Sequence, residues 1–454
     1  MRRSFAVIAV IFITYTKVIG QCWQSVSPGH RYIQTMKNDG TMWAWGFNGN
    51  GELGTGNYVF HDIPIQVNTI SDLSSVYGGV SHTAALKSNG TLWVWGRNVD
   101  GQLGNGTTNI NPLPQQIGID TWLTISIGGS STHGIKSDGT LWGWGSNLHG
   151  FVGDGTYTTR LSPVQIGNDN TWISVFEGVN NTFAIKSNGT LWGCGWNQYG
   201  QVGVGQTGDS VNTMTQIGLE NDWTLAHTGR THTVALKNDG SLWVWGGNTY
   251  GQLGDGTIID KNTPFQIQTD HAWISVGAGL HHTIAVRSDG TLWSWGFNTN
   301  GELGNGNNDD QNLPQQIGSD SDWVSVWGMY QNSVAQKADG SLWITGTNVV
   351  GQLGIGYLSG PSNVFIPVSC TPLGITDIAD ESISIGPNPT EDILYINNPE
   401  QRPFDLIMYD ITGKTIYELH NNVTELDVSG FEKGFYIVMV HTETGNKAFK
   451  IFKK

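Results

Sequence analysis

A block of about fifty residues recurs seven times along this chain, and that period constrains the fold more than any other feature. Its core reads Asp-Gly-Thr-Leu-Trp-x-Trp-Gly-x-Asn-x-x-Gly-Gln-Leu-Gly-x-Gly. The first tryptophan falls at Trp43, Trp93, Trp142, Trp192, Trp243, Trp293 and Trp343, with spacings of 50, 49, 50, 51, 50 and 50 residues. A glycine stands three residues earlier, at Gly40, Gly90, Gly139, Gly189, Gly240, Gly290 and Gly340. Another tryptophan lies 17 residues before that glycine, at Trp23, Trp122, Trp172, Trp223, Trp273 and Trp323; Leu73 takes its place in the second block.

Each block predicts four strands. Trp172 to Val175 exemplifies the first, His82 to Lys87 the second, Thr91 to Trp95 the third and Pro163 to Ile166 the fourth. The Ser/Asn-Asp-Gly turn between strands two and three is a strong hairpin signal. The proline suits an outer, edge-like strand. One four-stranded sheet of this size cannot bury both its faces, whereas sheets set radially around an axis can. The expected fold is therefore all-β: a seven-bladed β-propeller followed by a small C-terminal β-sandwich. The expected boundaries are a signal peptide at 1–20, the propeller at 21–370, a linker at 371–381 and a C-terminal domain at 382–454.

Repeat position assigns 18 of the 20 tryptophans to packing between blades and leaves out Trp196 and Trp327. Cys194 and Thr345 replace the second tryptophan in blades four and seven, where looser packing is expected. Lys37, Lys87, Lys136, Lys186, Lys237, Arg287 and Lys337 share one position, with Asp or Asn two residues on. They read as a self-compensated structural ring. His82, His232 and His282 also share a position, in different blades, and read as hydrogen-bonding core residues rather than metal ligands. The acidic stretch Asn307 to Asp310, and Asp320 with Asp322, lack calcium-loop spacing and read as solvated surface.

The first twenty residues carry Arg2 and Arg3, an apolar run from Phe5 to Ile13, and the small residues Val18 and Gly20. This is the pattern of a secretory signal, too short to span a membrane. No membrane span is expected in the mature chain. Net charge is −15, which argues against nucleic acid as a partner. Catalytic and nucleotide-binding motifs are absent, and no cofactor, no metal and no catalytic residue is expected. Cys22 precedes the first blade strand and Cys370 follows the last. A closed ring brings those ends together in an oxidising compartment, so a Cys22–Cys370 disulfide is expected, with Cys194 free.

The segments Leu92 to Gly104 and Gly279 to Val286 strongly resemble the regulator of chromosome condensation repeat family. The resemblance covers residues 23 to about 369. It implies a seven-bladed propeller and leaves the function open. The eukaryotic namesake is a nucleotide-exchange factor that binds chromatin, a role a signal peptide and an acidic chain disfavour. Bacterial secreted members, including a propeller-type β-lactamase inhibitor, bind protein partners with their loops. Kelch propellers share the architecture, but their paired glycines occur here only at Gly78–Gly79, Gly128–Gly129 and, out of register, Gly246–Gly247. From residue 382 on, tryptophan stops. Pro387-Asn388-Pro389, Tyr409-Asp410, Gly413, Leu426 to Ser429, Gly434 to Ile437 and the basic end Lys450, Lys453 and Lys454 resemble the C-terminal sorting domain of type IX secretion in Bacteroidota. That implies passage through the outer membrane, with the secretion machinery as a partner.

The expected function is a secreted or cell-surface binding module for an extracellular protein or glycan, acting as a monomer. The alternative is a propeller enzyme, hydrolase or lyase, whose site is assembled from several blades. The connections between strands one and two, and between strands three and four, share one face of the ring. The second half of the latter differs in every blade. Tyr58, Phe60, Tyr157, Tyr199 and Tyr250 in or beside these loops are the expected binding anchors.

Overall fold

The computed structural model describes residues 23–267, 272–369, 384–386, 390–398, 404–410, 415–419, 423–442 and 445–454. Cys22, Cys370, and the expected signal segment and linker lie outside them. Two compact units are present, Met1–Cys370 and Thr371–Lys454, and every element among the described residues is a strand.

Alternation along each strand sends one set of side chains to each face of its sheet, and both faces are buried by neighbouring blades. In the first blade the strands are Trp23–Pro28, Tyr32–Lys37, Met42–Gly46 and His61–Gln66, joined in that order and antiparallel. The seventh runs Trp323–Gly328, Asn332–Lys337, Leu342–Gly346 and Ser362–Val368. The five between repeat the plan. Blades two and three share one continuous strand, Asn111–Ile127, the outer strand of one blade running into the inner strand of the next.

Every blade is thus complete from consecutive strands, and the ring closes by the same contact that joins four other pairs of blades. The peptide carbonyl at the Gln or Glu of Gly-Gln-Leu-Gly accepts from the second tryptophan of the following blade. Trp95 Nε1–H donates to Glu52 O at 2.8 Å, Trp245 to Gln201 O at 2.9 Å and Trp295 to Gln252 O at 3.0 Å. Across the closure Trp45 donates to Gln352 O at 3.2 Å. The glycine that ends this motif must be glycine: φ at Gly54 is +78°, and a Cβ there would lie 2.7 Å from Trp95 Nε1. The motif's asparagine folds the loop. Asn48 accepts from Leu53 N–H at 2.9 Å and donates to Asn57 O at 3.1 Å.

Blades four and seven do not lose packing as expected. Cys194 Sγ and Thr345 Oγ1 still reach the preceding blade, at Phe151 O and Gly301 O. The volume of the missing indole is filled from strand four. Phe365 stands under Gly304, where other blades place the tryptophan, and packs 6.0 Å from Trp323; Met214 stands under Gly153. Five blades carry proline at that strand-four position, and these two carry Phe and Met.

The basic ring also differs from expectation. The Asp or Asn two residues on is consumed by its turn: Asp39 accepts from Thr41 N–H, and Thr41 Oγ1 in turn accepts from Trp43 Nε1–H at 2.8 Å. Each cation instead lies over indole faces, as Lys37 does at 3.5 Å from the Trp43 ring and 5.2 Å from Trp23. Four lysines also pair with aspartates of the inter-blade links: Lys136 with Asp120, Lys186 with Asp169, Lys237 with Asp222, and Lys337 with Asp320 and Asp322.

The second unit is a small sandwich. One sheet joins Ser384–Gly386, Ile393–Asn397 and Glu425–Asp427; the other joins Thr415–Leu419, Phe404–Asp410, Gly434–Thr442 and Gly445–Lys453. Leu394, Ile396 and Leu426 of the first pack on Leu406, Met408, Val438 and Val440 of the second.

Candidate binding face and axial chamber

Strand one is innermost, and the connection between strands one and two turns at the mouth of the central channel. A cavity of about 220 Å³ is lined there by a segment from each blade: 27–30, 77–80, 126–128, 176–179, 227–229, 278–280 and 327–330. The loops are pressed together and hydrogen-bonded from blade to blade. His30 N–H donates to Gly79 O at 3.1 Å, Val80 to Gly128 O at 3.0 Å and Gly129 to Gly178 O at 3.1 Å. Glycine is needed at this approach: a Cβ on Gly128 would lie 2.2 Å from Gly178 O, and one on Gly229 would lie 2.2 Å from Gly279 O.

Aromatic side chains gather on this face. Tyr77, Phe176, His227 and Trp327 line the chamber, half-buried. Outside it, Trp196 packs edge-on against Tyr199 at 5.6 Å, with exposed His149 at 6.3 Å. Tyr250 packs on His281 and Phe297 at 5.0 and 4.9 Å. At the seam of blades seven and one, two further lining residues, His30 and Tyr330, meet at 3.8 Å, and Arg31 lies 5.7 Å over the Tyr330 ring. Trp196 and Trp327, the two tryptophans outside the repeat positions, both fall on this face.

The expected anchors divide. Tyr58, Phe60 and Tyr157 are exposed at 54, 48 and 52%. Tyr199 and Tyr250 are half-buried within the aromatic groups just described. Trp196, Trp327, Tyr77 and Phe176 were not among the expected anchors; the signal that marks the two tryptophans is their failure to fit the repeat.

The titratable groups nearby are engaged by the scaffold. His133 and Glu177, from adjacent blades and both wholly buried, bond Nδ1 to Oε1. His133 Nε2–H donates to Val152 O at 3.1 Å, which leaves Nδ1 to face the carboxyl. Burial pushes the Glu177 carboxyl above its ordinary range, against the pull of His133. Tyr77 Oη accepts from Ser75 on its own strand at 3.0 Å. Burial lowers His30 and His227 to about 4, so both are neutral at neutral pH.

The strand-two histidines link successive blades. His82 lies 2.8 Å from Thr132 Oγ1, His232 3.1 Å from Thr283 Oγ1 and His282 2.9 Å from Ser333 Oγ. Each of those hydroxyls already donates to a carbonyl of the preceding blade, so each imidazole must donate from Nε2–H. Burial pushes all three down to about 3. Among the described residues no group of three or more His, Cys, Asp or Glu is placed to hold a metal ion. Asp310 of the acidic stretch accepts from Asn298 N–H at 2.8 Å, while Asp320 and Asp322 hold Lys337.

Among described residues no helix is long and apolar enough to cross a membrane. No curated protein sequence matches the chain. Solved propellers do share its fold. Prp20p from Saccharomyces cerevisiae, studied for its binding to Gsp1p and histones, is 23% identical; the match covers 68% of this chain and 81% of that one, with a TM-score of 0.62. Human WBSCR16 is also 23% identical, over 69% and 86%, with a TM-score of 0.62. Yeast RCC1 (Prp20), solved with Kap60, is 19% identical over 85% and 93%, with a TM-score of 0.65. Residues 384–454 match the secretion system C-terminal sorting domain, here of the type IX kind, which marks the protein for secretion or attachment at the outer surface. Residues 17–327 match the RCC1-like domain, and with its blades built as described the chain belongs to the RCC1-like propeller family.

Proposed function

We propose that this exported propeller is a binding module, and that its ligand, an extracellular protein or glycan, sits on the face where the strand one–two and strand three–four connections lie. One observation carries the reading. The tryptophans that the repeat uses for packing are 18 of 20, and the two it does not use both stand half-buried on this face beside other aromatic rings. Trp and Tyr in partly enclosed positions are the residue types that dominate binding energy at interfaces. The polar groups of the mouth support binding over catalysis, because its one carboxyl, Glu177, is buried and committed to His133 and Ser131. Net charge of −15 and export speak against the chromatin-bound exchange role of the family's namesake.

The test is retention of ligand by the immobilised secreted chain, from a glycan array and from surface and secreted proteins of its surroundings. Trp196→Ala and Tyr199→Ala are each expected to weaken the retained ligand by at least about tenfold, the effect of losing one interface anchor. A ligand indifferent to both, and lost instead on substitution in the tight turns of the opposite face, would overturn the proposal.

A further inference from the structure

Around the axis the fifth residue of strand one is Ser27, Tyr77, Ser126, Phe176, His227, Gly277 and Trp327. Blades one, three and six are complete with Ser or Gly there, so blade packing does not require a ring at this position. In the other four blades the ring stands at the chamber wall. Tyr77, Phe176 and Trp327 rest one side on the cores between blades and line the chamber with the rest.

The far end of the same strands shows what this chain does with converging rings: a lysine or arginine lies over them, at 3.5 to 5.4 Å from the ring centres. No described cation lies over these four rings; Arg31 lies 5.7 Å over another ring of the lining, Tyr330. The lining carries no lysine or arginine, and its one acidic residue, Glu177, keeps its side chain buried against His133. Aromatic faces present negative potential, and an enclosed site strengthens its attraction for a cation. A small metal ion would have to give up its water for few oxygen ligands. A quaternary ammonium group holds water weakly and has the bulk of a single ring. A space of about 220 Å³ admits one such group and excludes a folded surface.

We propose that the axial chamber binds an organic cation with a single quaternary-ammonium-sized headgroup, held over the faces of Tyr77, Phe176 and Trp327. This deepens the proposed function and rests on it only for the location of the ligand face.

The probe is choline, titrated calorimetrically into the full secreted chain beside its uncharged isostere, in which a tert-butyl group replaces the trimethylammonium. Choline is expected to bind at least about tenfold more tightly than the isostere, the factor that about 1.4 kcal/mol of cation–π attraction produces. Trp327→Ala and Phe176→Ala should each weaken choline similarly, and Trp327→Phe should restore most of the binding. Trp196→Ala should leave choline untouched while it weakens the surface ligand, so the chamber and the face fail separately. Equal binding of choline and isostere, tighter binding of a neutral hexose, or no choline binding at millimolar concentration would each overturn the cation assignment.

Discussion

Acid should loosen the propeller through the histidines that join its blades, and the size of the effect follows from their burial. His82, His232 and His282 are held at about 3 in the fold, against 6.5 in the unfolded chain. Each uses its Nε2–H toward the next blade, and in His82 and His232 the buried Nδ1 has no hydrogen-bond partner to receive a second proton's charge. Between those two pH values the unfolded chain binds more protons than the folded one, so stability rises with pH across the window and falls as acid is added. At about pH 5 the cost is set by the 1.5 units below 6.5, almost regardless of how far below 5 the folded value lies. At about 1.4 kcal/mol per unit, that is about 2 kcal/mol for each histidine and about 6 kcal/mol for the three.

The perturbation that isolates one share is His232→Asn, since Asn181 and Asn332 occupy the same position in blades four and seven. At neutral pH the variant should be less stable by about 1–3 kcal/mol, having lost the bond to Thr283 and part of the ring's volume. Its decline between about pH 7.5 and pH 5 should nevertheless be shallower than the parent's by about 2 kcal/mol. Urea unfolding followed by tryptophan fluorescence at both pH values measures this, because the blade-packing indoles report ring opening. Glu52, Glu177 and Glu302, raised by burial, act in the opposite direction, losing stabilisation as pH rises through their folded values. They are common to both proteins and cancel in the subtraction. Parallel profiles for parent and variant would refute the reasoning.

Phe365→Ala should cost about 3–5 kcal/mol in urea unfolding, as a core indole's substitute would, whereas Pro314→Ala at the matching position should cost far less. Peptide mapping without reductant should recover Cys22 joined to Cys370, a bond worth about 4–5 kcal/mol in the chain-entropy picture; free thiols at both would refute it. A chain ending near Pro372 should melt cooperatively when purified but accumulate in the periplasm of its host, and normal secretion of that chain would disprove the export role of the C-terminal domain.

Much of the fold was legible because its determinants are local. The turn chemistry at Asn38-Asp39-Gly40, the alternation of Leu92, Trp93, Val94 and Trp95, and the period itself each act within one block. What was missed depends on residues that meet only in space. Asp39 looked like the partner of Lys37, but its own turn consumes it, and the lysine is met by Trp23 and Trp43 from two strands. Cys194 and Thr345 read as packing defects when taken alone. Met214 and Phe365 stand in their own blocks in place of the repeat's proline, so the compensation was written in the sequence as a paired departure.

The site follows the same logic in reverse. A side chain that recurs around the ring is already committed: the asparagine to its loop, the second tryptophan to the preceding blade's carbonyl, the lysine to its indoles. A residue so committed has little left to offer a ligand, and seven equal copies confer no preference for one place on the ring. Specificity must therefore come from positions where the blades differ without damage to the sheet. The fifth residue of strand one looks like drift in the sequence, since Ser, Tyr, Phe, His, Gly and Trp share no property. Brought to the axis, its four rings become the wall of one chamber, and Trp196 marks the same face from outside. The variable loops with Tyr58, Phe60 and Tyr157 satisfy the criterion too, but they stand exposed, where fixing a side chain on binding costs more than it does for a ring already held on one side. The half-buried rings are thus the stronger candidates for anchors in the binding role proposed for this face.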